Sequence, residues 1–187
     1  YMKIAVLGAG AWGTAIATVL AENNHDVVIW SHEEKIVTDI MSNKRNVCYL
    51  PSIKLSGTIT ATTSLSTVLC DAQWIFEAIP VRFMRSVLQQ VKEYVKKEQR
   101  WVILSKGIEQ ETLKFPAELV DDVLRYTVQK VILAGPSFAH DVAHQQLTGV
   151  VAASSNKELI IELIACIQND YFRIVPSSDY IGVQLCS

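Results

Sequence analysis

Short apolar runs rich in β-branched and aromatic residues alternate along the chain with longer stretches in which apolar positions recur every three or four residues. The short runs predict strands over Lys3–Leu7, Asp26–Trp30, Trp74–Ile79, Trp101–Ser105, Val131–Ala134, Gly149–Ala153 and Phe172–Val175. The longer stretches predict helices over Ala11–Glu22, Val81–Val95, Ala117–Tyr126 and Lys157–Ile167. Pro116 supports the third, because its fixed φ and missing N–H suit a first helical turn. Strands that are almost continuously apolar are buried on both faces, so this alternation implies a mainly parallel sheet with helices on both sides, a doubly wound α/β fold. No repeat, low-complexity segment or Gly/Ser/Pro-rich linker breaks the pattern. Residues 1–176 are therefore expected to form one domain, and residues 177–187 the start of a connection to something longer.

The first strand and helix carry the strongest motif. Lys3 followed by the uncharged run Ile4–Ala21 imitates a secretory signal or a short membrane span, but Gly8, Gly10 and Gly13 interrupt it. Gly8-Ala9-Gly10-Ala11-Trp12-Gly13-Thr14-Ala15 is a G-x-G-x-x-G turn between a strand and a helix. There the first glycine permits the tight turn, the second lets backbone approach a pyrophosphate, and the third lets helix pack closely on strand. The helix N-terminus adds free N–H groups and partial positive charge, and Thr14 a hydroxyl. The fold expected is thus Rossmann-type, with a dinucleotide on Gly8, Gly10, Ala11, Trp12 and Gly13. An acidic residue usually ends the second strand of such a unit to hold the adenosine ribose. Here the strand ends in Ser31-His32, with Glu33 and Glu34 just beyond. A hydroxyl and an imidazole do not repel a 2′-phosphate, so NADPH is expected to bind at least as well as NADH; an exposed His32 with Glu33 on the ribose is the alternative.

Ligands of doubly wound sheets sit at the carboxyl ends of the strands. Pro80 closes the run Phe76-Glu77-Ala78-Ile79, as a strand terminator or as part of the cofactor site. Glu77 is a carboxylate inside an otherwise apolar strand, which suggests an edge position. Lys106 follows a buried strand, where an ammonium would meet an anionic or carbonyl-bearing substrate unless it is only a surface lysine. Gly135-Pro136-Ser137-Phe138-Ala139 gives a tight turn with a hydroxyl near a helix start, where Ser137 could equally be a cap.

Composition narrows the field without changing this picture. Half of the 187 residues are hydrophobic, the formal net charge is −2, and no Lys/Arg cluster stands out, which argues against a nucleic-acid partner. Cys48, Cys70, Cys166 and Cys186 lie far apart, with no C-x-x-C pair and no histidine at ligand spacing. They read as reduced cytosolic thiols, with neither a disulfide framework nor a metal site.

The glycine turn, Pro80, Ser105-Lys106-Gly107 and Gly135-Pro136-Ser137-Phe138-Ala139 together resemble the bacterial NAD(P)-dependent glycerol-3-phosphate dehydrogenase family over essentially the whole chain. The resemblance implies cytoplasmic, reversible reduction of dihydroxyacetone phosphate to sn-glycerol 3-phosphate by NADPH or NADH for phospholipid synthesis, with a homodimer the expected assembly of the complete enzyme. By matching position it implies that Ala11, Trp12, His32, Lys106 and Ala139 touch the dinucleotide. It likewise places Lys106, Gly135 and Ser137 on the triose phosphate, with Lys106 assisting catalysis. The main catalytic lysine and the Arg-Asn phosphate clamp of the family belong to a C-terminal helical domain and are expected beyond Ser187, so this chain alone should bind cofactor but turn over poorly. Glu77 stands where the family strand is usually apolar. A 3-hydroxyacid or ketopantoate-type reductase and a non-catalytic dinucleotide-binding module are the alternatives.

Overall fold

The computed structural model describes residues 1–186; Ser187, the last residue of the expected connection, lies outside the described residues. In chain order the elements are β1 (Lys3–Leu7), α1 (Ala11–Glu22), β2 (Asp26–Trp30), α2 (Glu34–Asn43), β3 (Ile59–Thr62), α3 (Leu65–Leu69), β4 (Trp74–Glu77) and α4 (Val81–Val91). They continue with β5 (Arg100–Ile103), α5 (Pro116–Leu124), β6 (Gln129–Ala134), α6 (Ala139–Ala143), β7 (Thr148–Ala153), α7 (Lys157–Ile167), β8 (Phe172–Ser177) and α8 (Tyr180–Leu185). The strands form one sheet in the order β3-β2-β1-β4-β5-β6-β7-β8. The first six run parallel; β7 pairs antiparallel with β6, and β8 runs parallel to β7.

The sheet separates two apolar layers, because alternate residues of each strand point to opposite faces. On one face Ile4, Val6, Ile29, Phe76 and Val102 pack with residues of α1, α2 and α7. On the other, Leu7, Ile75, Trp101 and Ile103 pack with residues of α3, α4 and α5, with Val183 of α8 against them. The doubly wound, mainly parallel architecture expected from the hydrophobic rhythm is therefore the one observed.

Every predicted strand and helix is present, β1, α1, β2 and α7 with the predicted bounds and the others with shifted ends, and the elements not predicted are those with thin apolar faces. In β3 only Ile59 and Ala61 are buried, between half-buried threonines at the sheet edge. In α2 only Ile36, Val37 and Ile40 are buried. Both gain their order from tertiary contact rather than from a strong local pattern. The segment after β8 is docked: Gln184 of α8 is buried and its Oε1 accepts from the Ala117 N–H at 3.3 Å.

This layering predicts that Phe76→Ala, in the middle of the sheet, destabilises the chain by about 3–5 kcal/mol in denaturant unfolding. Ile161→Ala, on the outer side of α7 and 66% exposed, should change stability by no more than about 0.5 kcal/mol.

Candidate functional site

The strand order changes direction between β1, which leads outward to β2 and β3, and β4, which leads outward to β5 and β6. At such a switch point the connections leave to opposite sides and open a crevice at the carboxyl ends of the strands. Here the crevice is a cleft of about 710 Å³ lined by Gly8–Gly13, Trp30–Glu33, Ile79, Pro80, Arg82 and Phe83, among others. It continues past Ala11, Trp12 and Pro80 into a smaller depression of about 350 Å³, bounded by Ser105, Lys106 and Ser137–Ala139. A separate depression of about 510 Å³ along the outer side of α2 contains none of the sequence-predicted site residues.

The three turn glycines are needed for different reasons. Gly8 has φ +116°, and a Cβ there would lie 2.6 Å from the Ala78 carbonyl oxygen. A Cβ on Gly13 would lie 2.1 Å from the Gly8 carbonyl oxygen. Both are excluded by the fold itself. Gly10, the N-cap of α1 at φ −68°, has nothing within 4 Å of its Cβ position. Its side faces the open cleft, so no protein atom accounts for a glycine there. The first N–H groups of α1 have no intrahelical acceptor and open onto the same space, the arrangement that accepts an anion.

A residue the sequence reading missed holds this loop. Asn46, 1% exposed, donates from Nδ2 to the Ala9 carbonyl at 2.8 Å and to Thr14 Oγ1 at 2.9 Å. Thr14 is fully buried and turned into the protein, so its hydroxyl is a support of the loop and not a cleft donor. Asn46 lies in an irregular segment, where no local periodicity marks a polar residue as internal.

At the end of β2, Ser31 is buried and its Oγ accepts from the Glu33 N–H at 3.1 Å, while His32 is exposed on the cleft wall. Glu33 accepts from the Tyr49 hydroxyl at 3.2 Å. Across the cleft the first turn of α4 brings Arg82 and Phe83, with the guanidinium 4.6 Å from the centre of the half-exposed ring. Neither residue stands out in the sequence, since an exposed aromatic at a helix start gives no signal until the cleft is assembled.

Beyond β5, Lys106 is exposed in the smaller depression. The loop that carries it is tied to α4 by a two-pronged pair in which Arg85 Nε and Nη2 donate to the Glu109 carboxylate, each at 2.8 Å. The guanidinium holds the Glu109 carboxyl below the usual range, with help from the Thr112 hydroxyl. Ser137 and Ala139 line the same depression; Gly135 lines neither cavity and packs against β7, where a Cβ would lie 3.1 Å from the Gly149 carbonyl oxygen. Ser137 N–H donates to the Gly135 carbonyl at 2.8 Å.

Glu77 is not at an edge. It ends β4 between β1 and β5, in register with Leu7 and Ile103, and is completely buried. Its Oε1 accepts from the Ile79 N–H and from the Ser105 hydroxyl, both at 2.7 Å. Burial pushes its carboxyl up to about 7 against those hydrogen bonds, which favour the charged form.

Fold and cleft define a Rossmann-type α/β domain with its crevice where dinucleotides bind. Residues 3–160 match the family described as NAD-dependent glycerol-3-phosphate dehydrogenase N-terminus, and the chain belongs to that family. It is 40% identical over 185 residues to a glycerol-3-phosphate dehydrogenase [NAD(P)+] of Bacillus thuringiensis, an alignment covering 98% of this chain and 54% of the relative. The chain thus spans about half the length of the curated relatives it matches. The crystal structure of a glycerol-3-phosphate dehydrogenase from Coxiella burnetii superposes with a TM-score of 0.94 at 32% identity, covering 99% of this chain and 56% of that one. A ketopantoate reductase of Ralstonia eutropha, with a TM-score of 0.70 at 18% identity over 98% of this chain and 59% of its own, shares the fold alone.

The glycine geometry separates folding from binding. Gly10→Val should fold normally by circular dichroism yet lose NADPH affinity by more than about tenfold, since the added side chain enters only the cleft. Gly13→Ala should instead destabilise the fold by about 1–3 kcal/mol or more through backbone overlap. A Gly10→Val chain that bound NADPH normally would remove the anion-cradle reading.

Proposed function

We propose that this chain binds NAD(P)H along the cleft and is the cofactor-binding part of a cytoplasmic glycerol-3-phosphate dehydrogenase that reversibly reduces dihydroxyacetone phosphate to sn-glycerol 3-phosphate for phospholipid synthesis. Gly10 is the observation that carries the reading: a glycine whose missing side chain serves no packing purpose, beside unsatisfied N–H groups at a helix start. The cradle fits a pyrophosphate through Gly8, Gly10, Ala11, Trp12 and Gly13.

Ser31 and His32 lie at the ribose end, where Arg82 and Phe83 offer a cationic and aromatic wall to the adenosine half. Pro80, Lys106 and Ala139 line the opposite end, where the nicotinamide would lie. When bound, the reduced nicotinamide supplies the hydride. Lys106 and Ser137 would face the triose phosphate, and Gly135 would contribute through the turn it sets. As charge grows on the substrate's carbonyl oxygen, a nearby ammonium lowers its energy; Lys106 is assigned that assisting part. The division into a cofactor domain over residues 1–176 and a connection from residue 177 to a helical substrate domain, assembled as a homodimer, belongs to the same proposal. Among the described residues no helix is long and apolar enough to cross a membrane.

Because Glu33 is already engaged by Tyr49 and His32 faces the cleft, NADPH should bind at least as tightly as NADH. His32→Glu should weaken NADPH selectively. Fluorescence titration of both cofactors checks this, and an NADH preference above about tenfold, about 1.4 kcal/mol, contradicts it. The substrate is tested by NADPH oxidation with the complete gene product: dihydroxyacetone phosphate should support turnover and ketopantoate should not.

A further inference from the structure

The carboxyl of Glu77 is completely buried and touches the site only through the groups bonded to it. It is 0% exposed, and both groups bonded to its Oε1 belong to residues lining the depression proposed for the nicotinamide, Ile79 and Ser105. Its Oε2 is buried with no hydrogen-bond partner. Ser105 Oγ also contacts the Ile79 carbonyl oxygen. The Ser105 hydroxyl has one proton for these two oxygen neighbours: with Glu77 charged it donates to Oε1, and with Glu77 a neutral acid the carboxyl donates to Ser105 and frees that proton for the Ile79 carbonyl.

Among the described residues no counter-charge is at hand. From β1 and β5 the residues in register are Leu7 and Ile103. On the helices of this face Arg85 is paired with Glu109 and Asp122, Asp121 with Lys130, and Glu118 with the Phe115 N–H. Asp179, before Tyr180 of α8, caps the Gly182 N–H. Arg82 and Lys106 line the cavities and neither is hydrogen-bonded to the carboxyl, which burial holds above its ordinary range.

We propose that Glu77 makes the affinity of this site for the oxidised cofactor rise with pH while leaving that for the reduced cofactor unchanged, its buried charge attracting the cationic oxidised ring and giving nothing to the uncharged reduced one. This rests on the cofactor reading above. Below the carboxyl's midpoint of about 7 the acid is neutral and the two oxidation states are not discriminated by it; above it, the carboxylate stands one hydrogen bond from residues lining the depression. By reciprocity, seating the oxidised cofactor drives Glu77 to release its proton to solvent, and seating the reduced form lets it keep the proton.

The test is the ratio of the NADP⁺ and NADPH dissociation constants of this chain at about pH 6 and about pH 8.5, on either side of the midpoint. Taking the ratio cancels His32 and the 2′-phosphate, which both forms present identically. The ratio should shift toward NADP⁺ by on the order of tenfold with rising pH. In Glu77→Gln, neutral at every pH, the ratio should stay constant. Calorimetry of the unaltered chain in two buffers of different ionisation enthalpy should show more proton release with NADP⁺ than with NADPH near pH 7, which needs no variant to fold. A pH-independent ratio, an equal shift in Glu77→Gln, or equal proton release overturns this inference alone. Failure of either cofactor form to bind overturns the cofactor reading and this inference with it.

Discussion

The approach of α1 to the ends of β1 and β4 sets the rest of the structure. Gly13 and Gly8 meet backbone to backbone, and Gly8 meets the Ala78 carbonyl, at separations that admit no Cβ. That contact lets α1 lie flat against the sheet, where every residue from Gly13 to Ala21 is buried. A helix so completely covered is stabilised chiefly by packing, not by its modest intrinsic propensity. The same contact points the open first turn of α1 into the crevice, so one steric fact produces both the core and the anion cradle.

Around that contact the chain spends its buried polar groups on fixing loops. Asn46 reaches from beyond α2 to hold Ala9 and Thr14, and Gln99 joins the end of α3 to the entry of β5 by donating to the Leu69 and Ala72 carbonyls. Loops are usually the mobile part of a domain, and a site built on them needs such supports to keep its geometry. The Arg85 fork to Glu109 does the same for the Lys106 loop from the surface side. With its outer member Asp122 shared by Lys114, it forms a network rather than a lone pair, the arrangement in which surface charges contribute most.

Glu77 differs from these supports. Its partners satisfy one oxygen and leave the other bare in a setting where a charge is poorly solvated. An apolar residue at the end of β4 would pack without that penalty. The carboxyl therefore makes sense in terms of what lies above it, the joined ends of β4 and β5 that line the inner depression, more than in terms of stability.

The sequence by itself determined the layered fold and most of the cleft. Continuous apolar strands such as Ile75–Phe76 and Trp101–Ile103 can only be buried on both faces, and a glycine turn between strand and helix has few other geometries. The family followed from motifs at the strand ends, whose order along the chain needs no coordinates. What the sequence did not show is what depends on distant residues meeting: β3 and α2, whose thin apolar faces are completed by neighbours, and Asn46, Arg82 and Phe83, which acquire a role only beside the cleft. Glu77 was legible as an anomaly and misplaced at an edge, because a strand's rank in the sheet is set by pairing with β1 and β5. Only the assembled sheet decided that this carboxyl is central, buried and, among the described residues, without a counter-charge, since desolvation and hydrogen bonding are properties of the surroundings and not of the residue.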